Sequence, residues 1–174
     1  MSNSRYQNIF MLSYDGELVF SIVTFFTLLD TLTIEASRGV ASSGELSVID
    51  FYYCPTHEEV HFELIAPIKK DDDGVFATLV FRIDSNDYLF PLITDWPTPS
   101  ISSETFLVRK DGDSVVYLNK PRHIDIEPLD FKLPLSRTEV SSVQAVLGHE
   151  GLFEGYDYRG ERVLSDIMLS LIHI

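Results

Sequence analysis

A single cysteine, Cys54, is the first limit this sequence sets. One thiol cannot close an intramolecular disulfide, and it excludes a zinc site built from several cysteines. Basic residues are scarce as well: 13 Lys and Arg stand against 27 Asp and Glu, a formal net charge of −14. So acidic a chain is a poor binder of phosphate backbones, and no nucleic-acid partner is expected. Long apolar runs are missing. The most apolar segment, LVFSIVTFFTLL from Leu18 to Leu29, is ended by Asp30, short of the roughly 20 residues a spanning helix needs. It reads instead as a buried strand leading into a helix. Catalytic signatures are also absent: no GxSxG, HExxH, P-loop or GxGxxG occurs. No catalytic residue and no cofactor is expected.

What the chain does have is apolar mass, 45% of 174 residues, enough for one ordinary domain or two small ones. Asp15-Gly16 lies between two apolar β-favouring runs, NIFMLSYDGELVFSI, a strong hairpin signal. Leu28 to Ser43 is the expected first helix, with Asp30 or Thr27 at its start and Gly44 at its end. Three strands follow: Leu46 to Tyr53, Glu59 to Ile68, and Val75 to Ile83. In the second of these, period-two alternation puts His61 and Glu63 on one face and Val60, Phe62 and Leu64 on the other. Asp84 to Trp96 reads as a short helix capped by Asp84 or Ser85 and kinked or stopped at Pro91. The run Trp96-Pro97-Thr98-Pro99-Ser100 is the best candidate for a domain boundary.

Beyond it the pattern returns. FLVRKDGDSVVYL from Phe106 to Leu118 is a second hairpin, turning at Asp111-Gly112. A strand-like Phe131 to Leu135 follows, then a helix over Thr138 to Leu147, capped by Ser136 or Thr138 and stopped by Gly148. GLFEGYDY parallels the earlier GELSVIDFYY, and Arg159-Gly160 turns the chain into ERVLSDIML. Hairpin, helix, strand, strand therefore occurs twice, which predicts two tandem units, residues 1–97 and 98–174, the second without its last strand. The class is α+β, with antiparallel sheets flanked by helices. A sheet short of one strand exposes an edge, and Val163 to Ile174 is apolar enough to pair with it in a homodimer; the alternative is that Leu169 to Ile174 folds back as a last strand within one chain.

Few residues point to chemistry. His57 and His61 stand four apart, the spacing of a metal pair on a helix. The segment from Val60 reads as a strand, however, and Pro55 precedes the pair, so no metal site is expected. Cys54 reads as a buried bystander, His149-Glu150 as a polar turn, and Asp125, Glu127 and Asp130 as a solvated acidic loop.

Several runs carry a family resemblance. RIDSNDYLFPLI with DWPTPS, the ETFLVRKDGD hairpin, and PLSRTEVSSVQAVLG with EGYDYRG resemble the tandem PAS-like sensor region of double-Cache type. Such regions are found outside the cytoplasm on bacterial histidine kinases and on diguanylate cyclase or phosphodiesterase receptors. The resemblance implies a non-catalytic module on the periplasmic face of the inner membrane. In the family, a long helix leaves a first membrane segment and a last strand leads to a second. This chain opens on the hairpin and ends in DIMLSLIHI, so the expectation is a fragment or truncated copy, joined to a membrane only through segments outside it. The resemblance further implies a small polar ligand held between the sheet and its covering helix. Mapped here, that pocket draws on Tyr52, Tyr53, His61, Glu63 and Arg82. The alternative is that the tyrosines only pack the sheet. At the level of function, the alternative is a stand-alone binding or interaction protein derived from such a sensor.

Overall fold

A computed structural model describes residues 6–22, 29–70, 74–94 and 102–169. The chain divides into two compact units, Met1–Leu92 and Ile93–Ile174. Trp96 and the proline-rich run around it lie outside the described residues, as does Thr27.

The first unit is one antiparallel sheet with a helix on it. Strands β1 (Tyr6–Ser13) and β2 (Leu18–Ser21) form the hairpin. Helix α1 (Thr31–Ser43) follows, then β3 (Ser47–Cys54), β4 (Glu59–Lys69) and β5 (Val75–Asp84). The strand order is β2-β1-β5-β4-β3. At the hairpin tip Gly16 has φ +82°, and a side chain there would stand 3.0 Å from Ile34 of α1. The turn thus lies against the helix, where Arg38 Nε donates to the Asp15 carbonyl at 2.8 Å. Asp30 caps α1 by accepting from the Thr33 N–H, and Gly44 ends it in the left-handed region, where only glycine is unstrained.

The buried stripe of α1 is Thr33, Ser37, Val40 and Ala41. Its two ends meet different surfaces. Val40 packs into an apolar cluster with Phe10, Leu12, Ile65 and Val80, whereas Thr33 and Ser37 meet polar side chains. On the opposite face of the sheet, Phe51 packs against Phe62 and Phe90 at 5.1 and 5.8 Å between ring centres. Strand β4 is therefore buried on both faces from Val60 to Glu63.

After β5 the backbone widens into one π-helical turn, Ser85–Leu89, before the short helix α2 (Phe90–Thr94). Pro91 falls in the first turn of α2, directly after the wider π-helical turn, which accommodates a residue without an N–H. Ser85 does not cap: its hydroxyl is buried without a hydrogen bond among the described residues.

The second unit departs from the expected repeat. Strands β6 (Val108–Asp111), β7 (Ser114–Tyr117) and β8 (Lys132–Pro134) form one sheet in that order. In the first unit the third partner joins the first strand of the hairpin; here it joins the second. Leu133 thereby reaches a core of Val115, Tyr117, Val140, Val143 and Tyr158. Helix α3 (Ser141–Val146) is shorter than expected and starts at Val140 with no side-chain cap, so neither Ser136 nor Thr138 serves. Strands β9 (Gly151–Tyr156) and β10 (Arg162–Ile167) make a separate antiparallel pair. Val163 to Ile167 are thus paired along one edge within their own chain. Residues 170–174 lie outside the described ones.

Gly155 shows how closely that pair approaches the loop before α3. A side chain there would come 2.6 Å from the Glu139 carbonyl oxygen and would collide with the Phe153 ring. The same carbonyl accepts from the Tyr156 N–H at 2.9 Å. The Gly155→Ala variant is expected to lose about 1–3 kcal/mol of stability by overpacking, read from its urea midpoint. An unchanged midpoint would show that this approach does not constrain the unit.

Candidate functional site

Four chains of physical necessity meet beneath the first turn of α1. The cap residue Asp30 presents two carboxylate oxygens. Oδ1 accepts from the Thr33 backbone N–H at 2.8 Å and from its hydroxyl at 3.0 Å. Oδ2 accepts from Tyr52 at 2.8 Å and from Arg82 Nη2 at 3.2 Å. Glu63 and Arg82 face one another in the β4–β5 register, with Arg82 Nε donating to Glu63 Oε1 at 2.6 Å. Glu63 Oε2 lies 2.8 Å from Thr33 Oγ1, so this carboxylate and that of Asp30 share the single hydroxyl proton of Thr33. Arg82 is 1% exposed and Glu63 is fully buried.

A guanidinium has five N–H donors. Nε and Nη2 are used, while Nη1 is buried without a partner among the described residues. The Phe10 ring lies 5.1 Å from the guanidinium carbon, a cation–π contact that covers the charge on the apolar side. Burial raises the pKa of the Asp30 carboxyl, but the N–H and hydroxyl of Thr33, the hydroxyl of Tyr52 and the charge of Arg82 outweigh it, and the carboxyl is held below its usual value. Tyr52 is pushed well above its usual value by burial and by the charges of Glu63 and Asp30.

His61 sits beside this group, 1% exposed. Burial, then the charges of Arg82 and His57, push it down to about 3, so the ring is neutral. The Glu59 carboxylate at 3.8 Å is consequently no ion-pair partner. Neither ring nitrogen of His61 has a hydrogen bond among the described residues.

The structure brings together four of the five expected ligand-pocket residues: Tyr52, His61, Glu63 and Arg82. Tyr53 is not among them. It is 54% exposed and points away. The cause is a one-residue shift in the β3–β4 register between Ile49 and Tyr52. Ile49 packs toward the α1 cluster, and simple alternation would put Phe51 and Tyr53 on its face. The bulge resets the alternation, placing Tyr52 and Cys54 there instead.

Residues outside the expected set join the cluster. Asp30 is legible in sequence only as a cap, and Thr33 and Ser37 join it from the buried stripe of α1. Ser37 bonds Thr78 at 2.5 Å. Cys54 and His57 arrive through the β3–β4 turn, with Cys54 Sγ 3.1 Å from His57 Nδ1. A thiol beside an imidazole is the start of a nucleophilic pair, but Cys54 is fully buried and out of a substrate's reach. Elsewhere, Asp125 and Glu127 of the acidic loop pair with Lys120 at its rim.

No protein-family model matches the chain, and no curated protein matches it. Among the described residues, no helix is long and apolar enough to cross a membrane.

Removing one member of a buried ion pair leaves the other unpaired. Arg82→Met is expected to lose about 3–5 kcal/mol, and the double variant Arg82→Met/Glu63→Leu to regain most of it. Urea unfolding reads both. A double variant no more stable than the single would show that the pair is not the energetic unit.

Proposed function

We propose that the chain is a non-catalytic sensor module, of tandem PAS-like type, that takes a small polar ligand at the first turn of α1. The observation that carries this reading is Arg82: a buried cation with unused donors at Nη1, set among Tyr52, Glu63, Asp30 and Thr33. A core built for stability alone gains little from such a group, since a buried ion pair is often outperformed by apolar residues of the same volume. An acceptor oxygen on a ligand, a carboxylate or carbonyl, would complete the guanidinium.

The family resemblance of the sequence and the layout of the first unit, one helix across an antiparallel sheet, support the same reading. The cluster ties the start of α1 to three strands at once, through Tyr52 of β3, Glu63 of β4 and Arg82 of β5. A ligand that binds better when that turn is displaced would shift its position on the sheet, which is the movement a sensor transmits. In a full-length receptor, the periplasmic face of a bacterial inner membrane would be its place, with kinase or cyclase output in another domain.

Thermal unfolding with a panel of amino acids, short carboxylates and amines, in the presence of a chelator, tests this. At about 100 times its dissociation constant a true ligand adds about 2.7 kcal/mol. The gain should persist in Tyr53→Ala and fall in Tyr52→Phe. No gain with any compound, or a gain indifferent to Tyr52, would contradict the reading.

A further inference from the structure

Beside the Arg82 cluster lies a second group whose chemistry is different. Asp30, Cys54, His57 and His61 each offer one donor atom, and all four atoms lie within 4.8 Å of one another. We propose that Asp30, Cys54, His57 and His61 form a binding site for one zinc ion.

The donor set comes from three elements. Cys54 ends β3, and the turn after it is tight: the His57 and Glu58 N–H groups both donate to the Cys54 carbonyl, at 3.3 and 2.8 Å. Glu58 takes φ +56°, a strained value for a residue with a side chain. That turn folds His57 back over Cys54. His61 lies on β4 opposite Tyr52, its ring 5.1 Å from that of His57. The fourth donor is the cap of α1, with Asp30 Oδ2 3.7 Å from Cys54 Sγ.

The independent sign of a ligand is His61. A buried imidazole with no hydrogen bond at either nitrogen among the described residues leaves its polar atoms uncompensated, a costly state in a core. A metal bond satisfies one of them. The donor types select the ion: two imidazoles, a thiolate and a carboxylate suit zinc, whereas calcium and magnesium prefer all-oxygen sites. Bonds of about 2.0–2.3 Å in a tetrahedron set the donors roughly 3.3–3.8 Å apart. The Cys54–His57 and Asp30–Cys54 separations, 3.1 and 3.7 Å, already lie near this range. The charges suit it too. Asp30 and Glu63 exceed Arg82 by one negative charge, and a Cys54 thiolate, its proton released to solvent, makes two, which a divalent ion balances. Tyr52 and Arg82 hydrogen bonds already orient the Asp30 oxygen that faces Cys54, the supporting contact a ligand carboxylate needs.

Helical spacing was the wrong template for this pair. A tight turn followed by a strand brings His57 and His61 together where an i, i+4 helix would not be possible.

The site does not depend on the small-ligand reading. Its test uses Zn2+ alone, and Co2+ as a spectroscopic stand-in, on the full chain. Equilibrium dialysis should find one ion per chain, and Co2+ should show a thiolate charge-transfer band. Cys54→Ser should abolish the band, and His57→Ala, at a partly exposed turn residue, should weaken Zn2+ binding by more than about tenfold. Zn2+ should raise the melting temperature of the parent but not of His57→Ala. Absence of binding, Co2+ bound without the band, or equal affinity in His57→Ala would each overturn the proposal.

Discussion

The first unit is organised around one buried cation. Arg82 lies at the centre of the sheet and within the core, and everything near it answers to its charge. Glu63 faces it in the neighbouring strand, Asp30 approaches from the helix cap, and Phe10 lies against its apolar side. Desolvating three charges costs several kcal/mol per ion before their attraction is counted. The cost is offset at the other end of α1, where Val40 meets Phe10, Leu12, Ile65 and Val80. The helix is thus fastened at its C-terminal half by apolar packing and at its first turn by hydrogen bonds and charge. Apolar packing is insensitive to chemistry, whereas the polar end responds to any group that competes for Arg82, Asp30 or His61. This asymmetry makes the first turn of α1 the part of the unit through which binding can be felt.

Among the described residues, the second unit lacks this arrangement. Its core is an aromatic cluster, with Tyr117 in contact with Phe106, Phe131 and Tyr158. The polar ends are satisfied locally: Tyr117 bonds Ser142 at 2.6 Å, and Tyr158 donates to Glu104 at 3.2 Å. These tyrosines have partners and no unused buried charge, which is the pattern of a structural core.

Where local chemistry decides, the sequence was readable. Asp15-Gly16 and Asp111-Gly112 turn the two hairpins, Asp30 caps α1, Gly44 ends it, and the three strands after it fall within a residue or two of their expected limits. The pairing of His61 with Glu63 on one face followed from alternation. What escaped depended on register and on long-range contact. A bulge within β3 exchanges Tyr52 for Tyr53, and no composition signal marks it. The third strand of the second unit could join either strand of its hairpin, and only the fit of Leu133 to the Tyr117 core decides. His57 and His61 show a metal-pair spacing only on a helical template, and Cys54 and Asp30 join them only when a turn at Pro55 and the cap of a distant helix bring the four donor atoms within 4.8 Å of one another. Asp30 served two roles, and its cap role, the one visible in sequence, concealed the other.

The claim that the hydrogen bonds of the Arg82 cluster help to hold the first turn of α1 is open to a direct measurement: amide hydrogen exchange of α1, residue by residue, in the parent and in Tyr52→Phe. This substitution removes the hydroxyl that bonds Asp30 and approaches Glu63 and leaves every charge in place. Protection of the Ile34 N–H, which bonds the Asp30 carbonyl, should fall, while that of the Gly44 N–H, which bonds the Val40 carbonyl, should hold, because the two ends open independently. Equal loss at both ends, or no loss at either, would contradict the account.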